Sequence, residues 1–246
     1  MVERFPRRAG VATLVARRRL TPRMLRVTLR CDGFGAGWPI EQPGEIITLL
    51  FVPPGTPVVL PQQGWTFPPG VAQDWRNYTV RRHRPEAGEI DVDVVLHEPR
   101  GPACTWAERV PVGAAVGYAG PRVDFRPHAD ADWLLLCGDE TALPAIAAIL
   151  EAAPDRDAVA VVEVADGGEA LALDPRLRYV HRSGAPAATT SHLPDALRAL
   201  AIPHGRVQAW GAAESGVARE LRSILRDEHG LPRAHATAKG YWLRRN

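Results

Sequence analysis

The chain has 246 residues, of which 46% are hydrophobic and 24% are charged, so it can bury the core of one large or two small globular domains. The formal net charge of +2 argues against a nucleic-acid partner, because such proteins usually carry a larger basic excess in one patch. No apolar run reaches the roughly 18 residues of a membrane span, and the N-terminal stretch lacks the apolar run of a signal peptide.

The cysteines point to a reducing compartment. Cys31, Cys104 and Cys137 are far apart and form no CxxC pair, so we predict no zinc or iron–sulfur site and no other metal site. A cytoplasmic location fits best. We expect a monomer or a weak dimer.

The first half of the chain, from about residue 11 to 127, consists of short apolar runs separated by glycines and prolines. Such runs predict an antiparallel β-barrel or sandwich. The predicted strands are ATLVARRRL, MLRVTLRC, EIITLLFV, RNYTVRR, EIDVDVVLH and AAVGYAG. Between Pro53 and Gly70, six prolines exclude a helix or a central strand. This segment is either a functional loop or a simple insertion.

The segment EIDVDVVLH alternates between apolar and polar residues. Its apolar positions share one face of the predicted strand, and its other positions share the opposite face. Asp93 and His97 are therefore predicted to point the same way.

The second half, after about residue 127, alternates between strand and helix patterns. The continuous apolar run WLLLCG predicts a strand buried on both faces, and the helical pattern TALPAIAAILEAA follows it. Later segments predict strands at 158–166, 178–182 and 206–212 and helices at 193–201 and 214–230. Ser215 is the predicted N-cap of the last helix, and Gly230 follows its end. The alternation predicts a parallel α/β domain.

Three segments are candidate ligand sites. GDETALPAI, residues 138–146, leads from a buried strand into a helix at the carboxyl edge of the sheet, where open α/β sheets bind nucleotides. HEPRGPACTWAERV, residues 97–110, leads from the end of a strand through a turn into a second helix, which starts near Ala103 and whose first amides can meet an anion. In RNYTVR, residues 76–81, an arginine can hold a phosphate and a tyrosine can lie against a flat ring. For each segment the competing interpretation is structural: a helix cap, a capped surface helix, or a packed tyrosine between solvated arginines.

The quoted segments, together with AWGAAESGVARELR and the closing GYWLRR, occur in an order that resembles the siderophore-interacting protein family. Members of this family are relatives of ferredoxin reductases and act as flavin-dependent ferric-siderophore reductases. The resemblance implies an antiparallel FAD-binding β-barrel domain over residues 1–127. It implies a parallel-sheet α/β NAD(P)-binding domain with a C-terminal tail over residues 128–246.

The resemblance also implies roles for individual residues. Those assigned to FAD are Arg76, Tyr78, Thr79, Asp93, His97, Gly101, Ala103, Cys104, Thr105 and Trp106. Those assigned to NADPH or NADH are Gly138, Asp139, Glu140, Thr141, Ala213 and Glu214. Those assigned to the ferric siderophore are the basic residues Lys239, Arg244, Arg245 and Arg81. Cys104 stands where serine is common in relatives, and Ala213 stands where glycine is frequent.

The function implied is reduction of Fe(III) in a siderophore by NAD(P)H through FAD, which needs no catalytic protein nucleophile. Two alternatives stay open: a flavin reductase that serves another acceptor, and a siderophore-binding or delivery protein with little turnover. The resemblance favours NADPH over NADH. From the residues, Glu163 or Asp166 can hold a ribose hydroxyl, whereas Arg182 can meet a 2′-phosphate.

Overall fold

The computed structural model describes residues 8–39, 42–53, 55–62, 66–71, 73–202 and 204–244. The chain forms two compact units, Met1–Asp124 and Phe125–Asn246. The first unit ends three residues before the predicted boundary at residue 127. Phe125 belongs to the second unit because its ring packs 6.3 Å from that of Trp210. No helix among the described residues is long and apolar enough to cross a membrane.

The first unit is a curled antiparallel sheet of seven strands with the order β4-β3-β7-β1-β2-β6-β5. The strands are β1 Arg8–Thr21, β2 Met24–Arg30, β3 Ile46–Phe51, β4 Asp74–Thr79, β5 Arg82–Arg84, β6 Glu89–Val95 and β7 Ala115–Arg122. One helix, α1 (Pro102–Arg109), packs against β2, β3, β4 and β6. The predicted antiparallel β domain is confirmed.

Strand β6 carries the predicted alternation, but its polar face is also buried. Asp93 accepts hydrogen bonds from Arg26 Nε at 2.6 Å and Nη2 at 2.8 Å. Asp91 accepts from Thr28 at 2.8 Å and from both Nη atoms of Arg84. The register of β2 against β6 places Arg26 opposite Asp93 and Thr28 opposite Asp91. Each acid is therefore paired with an arginine on a neighbouring strand, and Asp91 also accepts a hydrogen bond from a hydroxyl.

The second unit is a parallel sheet of five strands with the order β10-β9-β8-β11-β12. The strands are β8 Trp133–Asp139, β9 Asp157–Val164, β10 Leu177–His181, β11 Val207–Glu214 and β12 Ala236–Trp242. The helices are α2 Leu143–Ala152, α3 Leu193–Arg198 and α4 Ser215–Ser223, which continues into a π-helical turn at Ile224–Glu228. The predicted α/β domain is confirmed, and β12 is a strand that the sequence did not predict.

The start of α4 differs from its prediction. Glu214, not Ser215, caps the helix, because its carboxylate accepts hydrogen bonds from the amides of Gly216 and Val217. The Ser215 hydroxyl instead donates to the Trp242 carbonyl at 2.8 Å, which ties α4 to β12. A carboxylate is the stronger partner for the positive end of a helix.

One buried carboxylate joins the carboxyl ends of three strands. Asp139, at the end of β8, accepts hydrogen bonds from the Thr141 amide at 2.9 Å, the Glu214 amide at 3.0 Å and the Trp242 indole N–H at 2.8 Å. Burial and the neighbouring charge of Glu140 raise the pKa of Asp139 to about 6, although the hydrogen bonds from Thr141 and Trp242 act in the opposite direction. Asp139 therefore holds β8, β11 and β12 together at this edge.

We predict that Asp93→Ala lowers the free energy of unfolding by about 3–5 kcal/mol, because it removes the bidentate carboxylate that pairs with the largely buried charge of Arg26. The Arg26 side chain is only 11% exposed. The control is Arg30→Ala, on the same strand, whose side chain is 57% exposed and which should cost less than about 1 kcal/mol. Urea denaturation of the two variants and wild type measures both values. Equal losses would contradict the prediction.

We predict that Asp139 makes the native chain less stable as the pH rises from about 4 to about 6. In this range the folded carboxyl still binds its proton, whereas the unfolded one, with a pKa of about 3.9, has lost it. The stability of wild type relative to Asp139→Asn, which does not titrate, should therefore fall by up to about 3 kcal/mol. Denaturation of both proteins at pH 4, 5, 6 and 7 tests this. A difference that stays constant with pH would refute it.

Candidate functional site

Helix α1 begins without a side-chain cap. Gly101 is its N-cap residue in an extended conformation, and Pro102 follows at the first helical position. Gly101 offers no side-chain cap, and its carbonyl is the first main-chain acceptor in use, receiving the Thr105 amide. The amides of Ala103 and Cys104 therefore suit an anion.

Strand β4, at one end of the sheet order, packs against α1 and carries the first four of the RNYTVR residues, Arg76–Thr79. The Arg76 side chain is exposed, and its nearest acid is Asp74, 3.8 Å away. Tyr78 is partly buried, with its ring centroid 6.5 Å from that of Phe51. Burial and the neighbouring Cys104 raise the pKa of the Tyr78 phenol, whereas Arg76 lowers it. The structure thus brings an exposed cation, a flat ring and an uncapped helix start together.

His97 and Cys104 influence each other at the start of α1. Hydrogen bonding to Cys104 raises the pKa of His97. Burial opposes ionisation of the Cys104 thiol, but hydrogen bonds from His97 and the Gly101 amide, together with the charge of His97, outweigh burial and lower the pKa of the thiol. The Cys104 Sγ also lies 3.4 Å from the Val95 carbonyl oxygen. A cysteine at this position therefore forms a thiol–imidazole pair favouring the charged forms of both groups, which a serine would not form.

Other residues assigned to FAD or to the substrate lie deeper. Thr79 is buried, and Trp106 packs in the core with its ring centroid 5.6 Å from that of Phe51. Asp93 is engaged by Arg26. Arg81 is only 3% exposed, so it offers little surface to a bulky chelate.

In the second unit, the residues assigned to the nicotinamide cofactor meet at the carboxyl edge of β8 and β11. They are Gly138, Asp139, Glu140, Thr141, Ala213 and Glu214. A Cβ atom on Gly138 would lie 2.3 Å from the Ala212 carbonyl oxygen, so only glycine allows this close packing. The carboxylates of Asp139, Glu140 and Glu214 are engaged by the protein and accept rather than donate hydrogen bonds. The donors for a nucleotide are therefore main-chain N–H groups at the start of α2. No side chain caps α2 among the described residues.

The residues considered for cofactor choice are also engaged. Arg182 is 1% exposed at its side chain and holds Glu140 at 2.6 Å and Glu163 at 3.4 Å. Glu163 also accepts the amides of His192 and Leu193 at the start of α3. Arg182 is therefore not presented to a 2′-phosphate. Asp166 is exposed and accepts a hydrogen bond from the Gly168 amide.

The basic tail contributes one exposed cation. Arg244 is exposed, and its Nη1 donates to the Ala188 carbonyl at 3.2 Å. Lys239, on β12, is partly buried. Arg245 lies outside the described residues.

Sequence reasoning missed several residues that shape these sites, among them Arg26 and Trp242 as partners of Asp93 and Asp139. Arg26 lies on the polar face of a predicted strand, so its alternation within MLRVTLR was an available signal. No local pattern indicates that Trp242 reaches the end of β8, which is 103 residues away in sequence.

Comparison with known proteins agrees with both units. The model of the siderophore-interacting FAD-binding domain matches residues 13–125, and that of the siderophore-interacting protein matches residues 131–245. The chain is 30% identical to the ferric vibriobactin reductase ViuB of Vibrio cholerae, over 99% of this chain and 92% of that protein.

Two solved structures have the same architecture. A siderophore utilization protein from T. fusca is 35% identical with a TM-score of 0.86, covering 99% of this chain and 96% of that one. The siderophore-interacting protein SipS from Aeromonas hydrophila is 26% identical with a TM-score of 0.81, covering 97% and 93%. On the residues of both units and these matches, the chain belongs to the siderophore-interacting protein family and carries that family's FAD-binding domain.

Proposed function

We propose that this chain is an NAD(P)H-dependent flavoprotein that reduces Fe(III) in a siderophore through FAD and so releases Fe(II). The observation that carries the proposal is the uncapped start of α1 beside exposed Arg76 and partly buried Tyr78, within a domain of an FAD-binding family. The similarity to a protein named ferric vibriobactin reductase supports the choice of acceptor.

The first unit offers the donor set that a flavin dinucleotide needs. The diphosphate carries negative charge, which the amides of Ala103 and Cys104 and the guanidinium of Arg76 can meet. Tyr78 offers an aromatic face, and its phenol stays protonated at neutral pH because burial and Cys104 raise its pKa. We assign His97, Gly101 and Thr105 to the same site, since they flank the start of α1.

We assign Thr79, Asp93 and Trp106 supporting roles, because each is buried. Asp93 fixes Arg26 across the sheet, and Trp106 packs α1 onto β3 through Phe51. These contacts hold β4 and α1 in place, so the exposed groups that meet the cofactor need little reorganisation on binding.

A bound FAD would supply the chemistry that links the two reactants, namely hydride acceptance from NAD(P)H and single-electron transfer to Fe(III). The chain's own residues bind and orient the reactants. In the second unit the main-chain groups at Gly138 and the start of α2 are the proposed contacts for NADPH or NADH. Asp139, Glu140, Thr141 and Glu214 hold the edge in shape, since the Thr141 amide is already bonded to Asp139. Oxygen-rich chelators bind Fe(III) more tightly than Fe(II), so reduction lowers the affinity of the siderophore for its iron.

A ferric siderophore often carries negative charge, and exposed cations attract it. Arg244 is the exposed cation of the tail, and we propose it as a substrate contact together with Lys239 and Arg245. We give Arg81 no substrate contact because it is buried.

We expect the purified protein, loaded with FAD under anaerobic conditions, to lose its yellow colour on addition of NADPH or NADH. A ferric siderophore should then restore the colour and yield Fe(II), measured with an Fe(II)-specific chelator, at two Fe(II) per NAD(P)H because each hydride carries two electrons. The matched control is the same siderophore loaded with Ga(III), which binds alike but accepts no electron. It should not restore the colour.

Other outcomes identify the alternatives. Bleaching without oxidation by any ferric siderophore would indicate a flavin reductase for another acceptor. No bleaching by either nicotinamide, with the ferric chelate still bound, would indicate a siderophore-binding or delivery protein. Either outcome overturns the proposed function.

We predict that Arg76→Ala weakens FAD binding by about ten- to a hundredfold, which corresponds to the loss of a charge-assisted hydrogen bond of about 1.5–3 kcal/mol. Calorimetric titration of flavin-free protein with FAD measures the change. The control is Arg18→Ala, an exposed arginine on β1 of the same sheet, which should bind FAD like wild type. Equal affinities for the two variants would remove Arg76 from the site.

A further inference from the structure

A second cluster of ligand-type side chains lies in the second unit, away from the residues assigned to cofactors. His128, Asp130 and His235 each offer one donor atom, and these three atoms lie within 4.8 Å of one another. The two imidazole rings stand nearly perpendicular, with centroids 4.8 Å apart. Two imidazoles and one carboxylate form a set of ligands that transition metals prefer.

The Gln208 side chain, on β11, and the Arg156 side chain fix the position of His128. The buried side chain of Gln208 accepts the His128 amide at 2.8 Å and donates to the Arg126 carbonyl at 2.7 Å. Arg156 Nη1 donates to the His128 carbonyl at 3.2 Å. The segment that carries His128 is thus held at three points, while the imidazole itself is left for another partner.

The same strand fixes His235 and its protonation. The His235 carbonyl accepts the Ala209 amide at 2.7 Å, and its own amide donates to the Pro232 carbonyl at 2.8 Å. The His235 Nδ1 lies 3.3 Å from the Val207 carbonyl oxygen. A carbonyl can only accept, so this contact puts the proton on Nδ1 and leaves the lone pair of Nε2 available. Metal-binding histidines are commonly oriented in this way.

Asp130 completes the cluster from an exposed position. Among the residues that the structure describes, no hydrogen bond or ion pair involves its carboxylate. Its side chain is therefore able to rotate toward the two histidines. Donors around a tetrahedral ion with bonds of about 2.1 Å lie about 3.4 Å apart, so the three donor atoms, which lie within 4.8 Å of one another, would draw closer on binding the ion.

We propose that His128, Asp130 and His235 bind one divalent first-row transition metal ion, of which Zn²⁺ is the representative probe. Two nitrogen donors disfavour Ca²⁺ and Mg²⁺, which prefer oxygen. The borderline ions Zn²⁺, Co²⁺, Ni²⁺ and Fe²⁺ accept this set, with water in the remaining positions.

The position of the proposed metal site indicates a structural role. His128 and Asp130 precede β8, and His235 immediately precedes β12, so the ion lies at the amino ends of these parallel strands. Asp139 and the proposed nucleotide contacts lie at the carboxyl ends, about 20 Å away along a strand of this length. The ion would tie the segment that enters the second unit to the connection between α4 and β12. It takes no part in the proposed reductase chemistry.

The test is calorimetric titration of tag-free, FAD-loaded protein with Zn²⁺. We expect wild type to bind one equivalent. Asp130→Asn keeps the shape of an exposed side chain, and His128→Ala removes one imidazole. Each should bind at least about a hundredfold more weakly, since loss of a ligand costs more than loss of a supporting residue. The control His204→Ala removes an exposed imidazole of the same unit and should bind like wild type.

Two further readouts separate specific binding from misfolding. Zn²⁺ should raise the thermal unfolding midpoint of wild type and of His204→Ala, but not that of Asp130→Asn, whose midpoint without metal should match wild type. Co²⁺ should give a visible ligand-field band in wild type that is lost in His128→Ala. The proposal is overturned if wild type binds neither Zn²⁺ nor Co²⁺, or if Asp130→Asn and His128→Ala bind both ions like wild type.

Discussion

The start of α1 carries a partial positive charge that no carboxylate caps among the described residues, and the first unit is organised around it. Strand β4 places Arg76 and Tyr78 beside it, and the Arg26–Asp93 pair holds the sheet beneath. A helix start that stays unsatisfied in the folded chain costs free energy unless water or a ligand meets its amides. The anion that fits there therefore stabilises both the helix and the unit.

The other helices show why this absence is informative. In the second unit, Glu163 accepts the amides at the start of α3 and Glu214 those at the start of α4. These two helix starts need no external anion because the chain supplies a carboxylate to each. No side chain caps α2 among the described residues, and it follows the GDETALPAI turn. Helices α1 and α2 thus begin without a carboxylate cap, and these are the two helices whose sequences were predicted to bind phosphates.

The periodicity of apolar residues made the two sheets predictable from the sequence. The long-range pairing of strands and side chains was not predictable in this way. The continuous apolar run of β8 and the alternation in β6 indicated a parallel and an antiparallel sheet. Strand β12, ATAKGYW, contains polar residues and a glycine and lacks either pattern, so only its pairing with β11 identifies it. The partners of Asp139 and Asp93 depend on strand order and register. His128 and His235 come together because both flank strands adjacent to β11, which no local spacing encodes.

Polar groups at opposite edges of the second unit's sheet have two different tasks. Those at the carboxyl edge stabilise a turn, and those at the amino edge position the proposed metal ligands. At the carboxyl edge, the Asp139 and Glu214 carboxylates form hydrogen bonds within the protein, which holds the shape of the turn after β8 beside the proposed nucleotide contacts. At the amino edge, Gln208 and the β11 main chain fix the backbone around His128 and His235 but leave the ligand atoms unused. Polar groups that a fold positions firmly and yet leaves unpaired are the exceptions to the rule that buried and partly buried polar groups find partners. Such exceptions are where binding is expected.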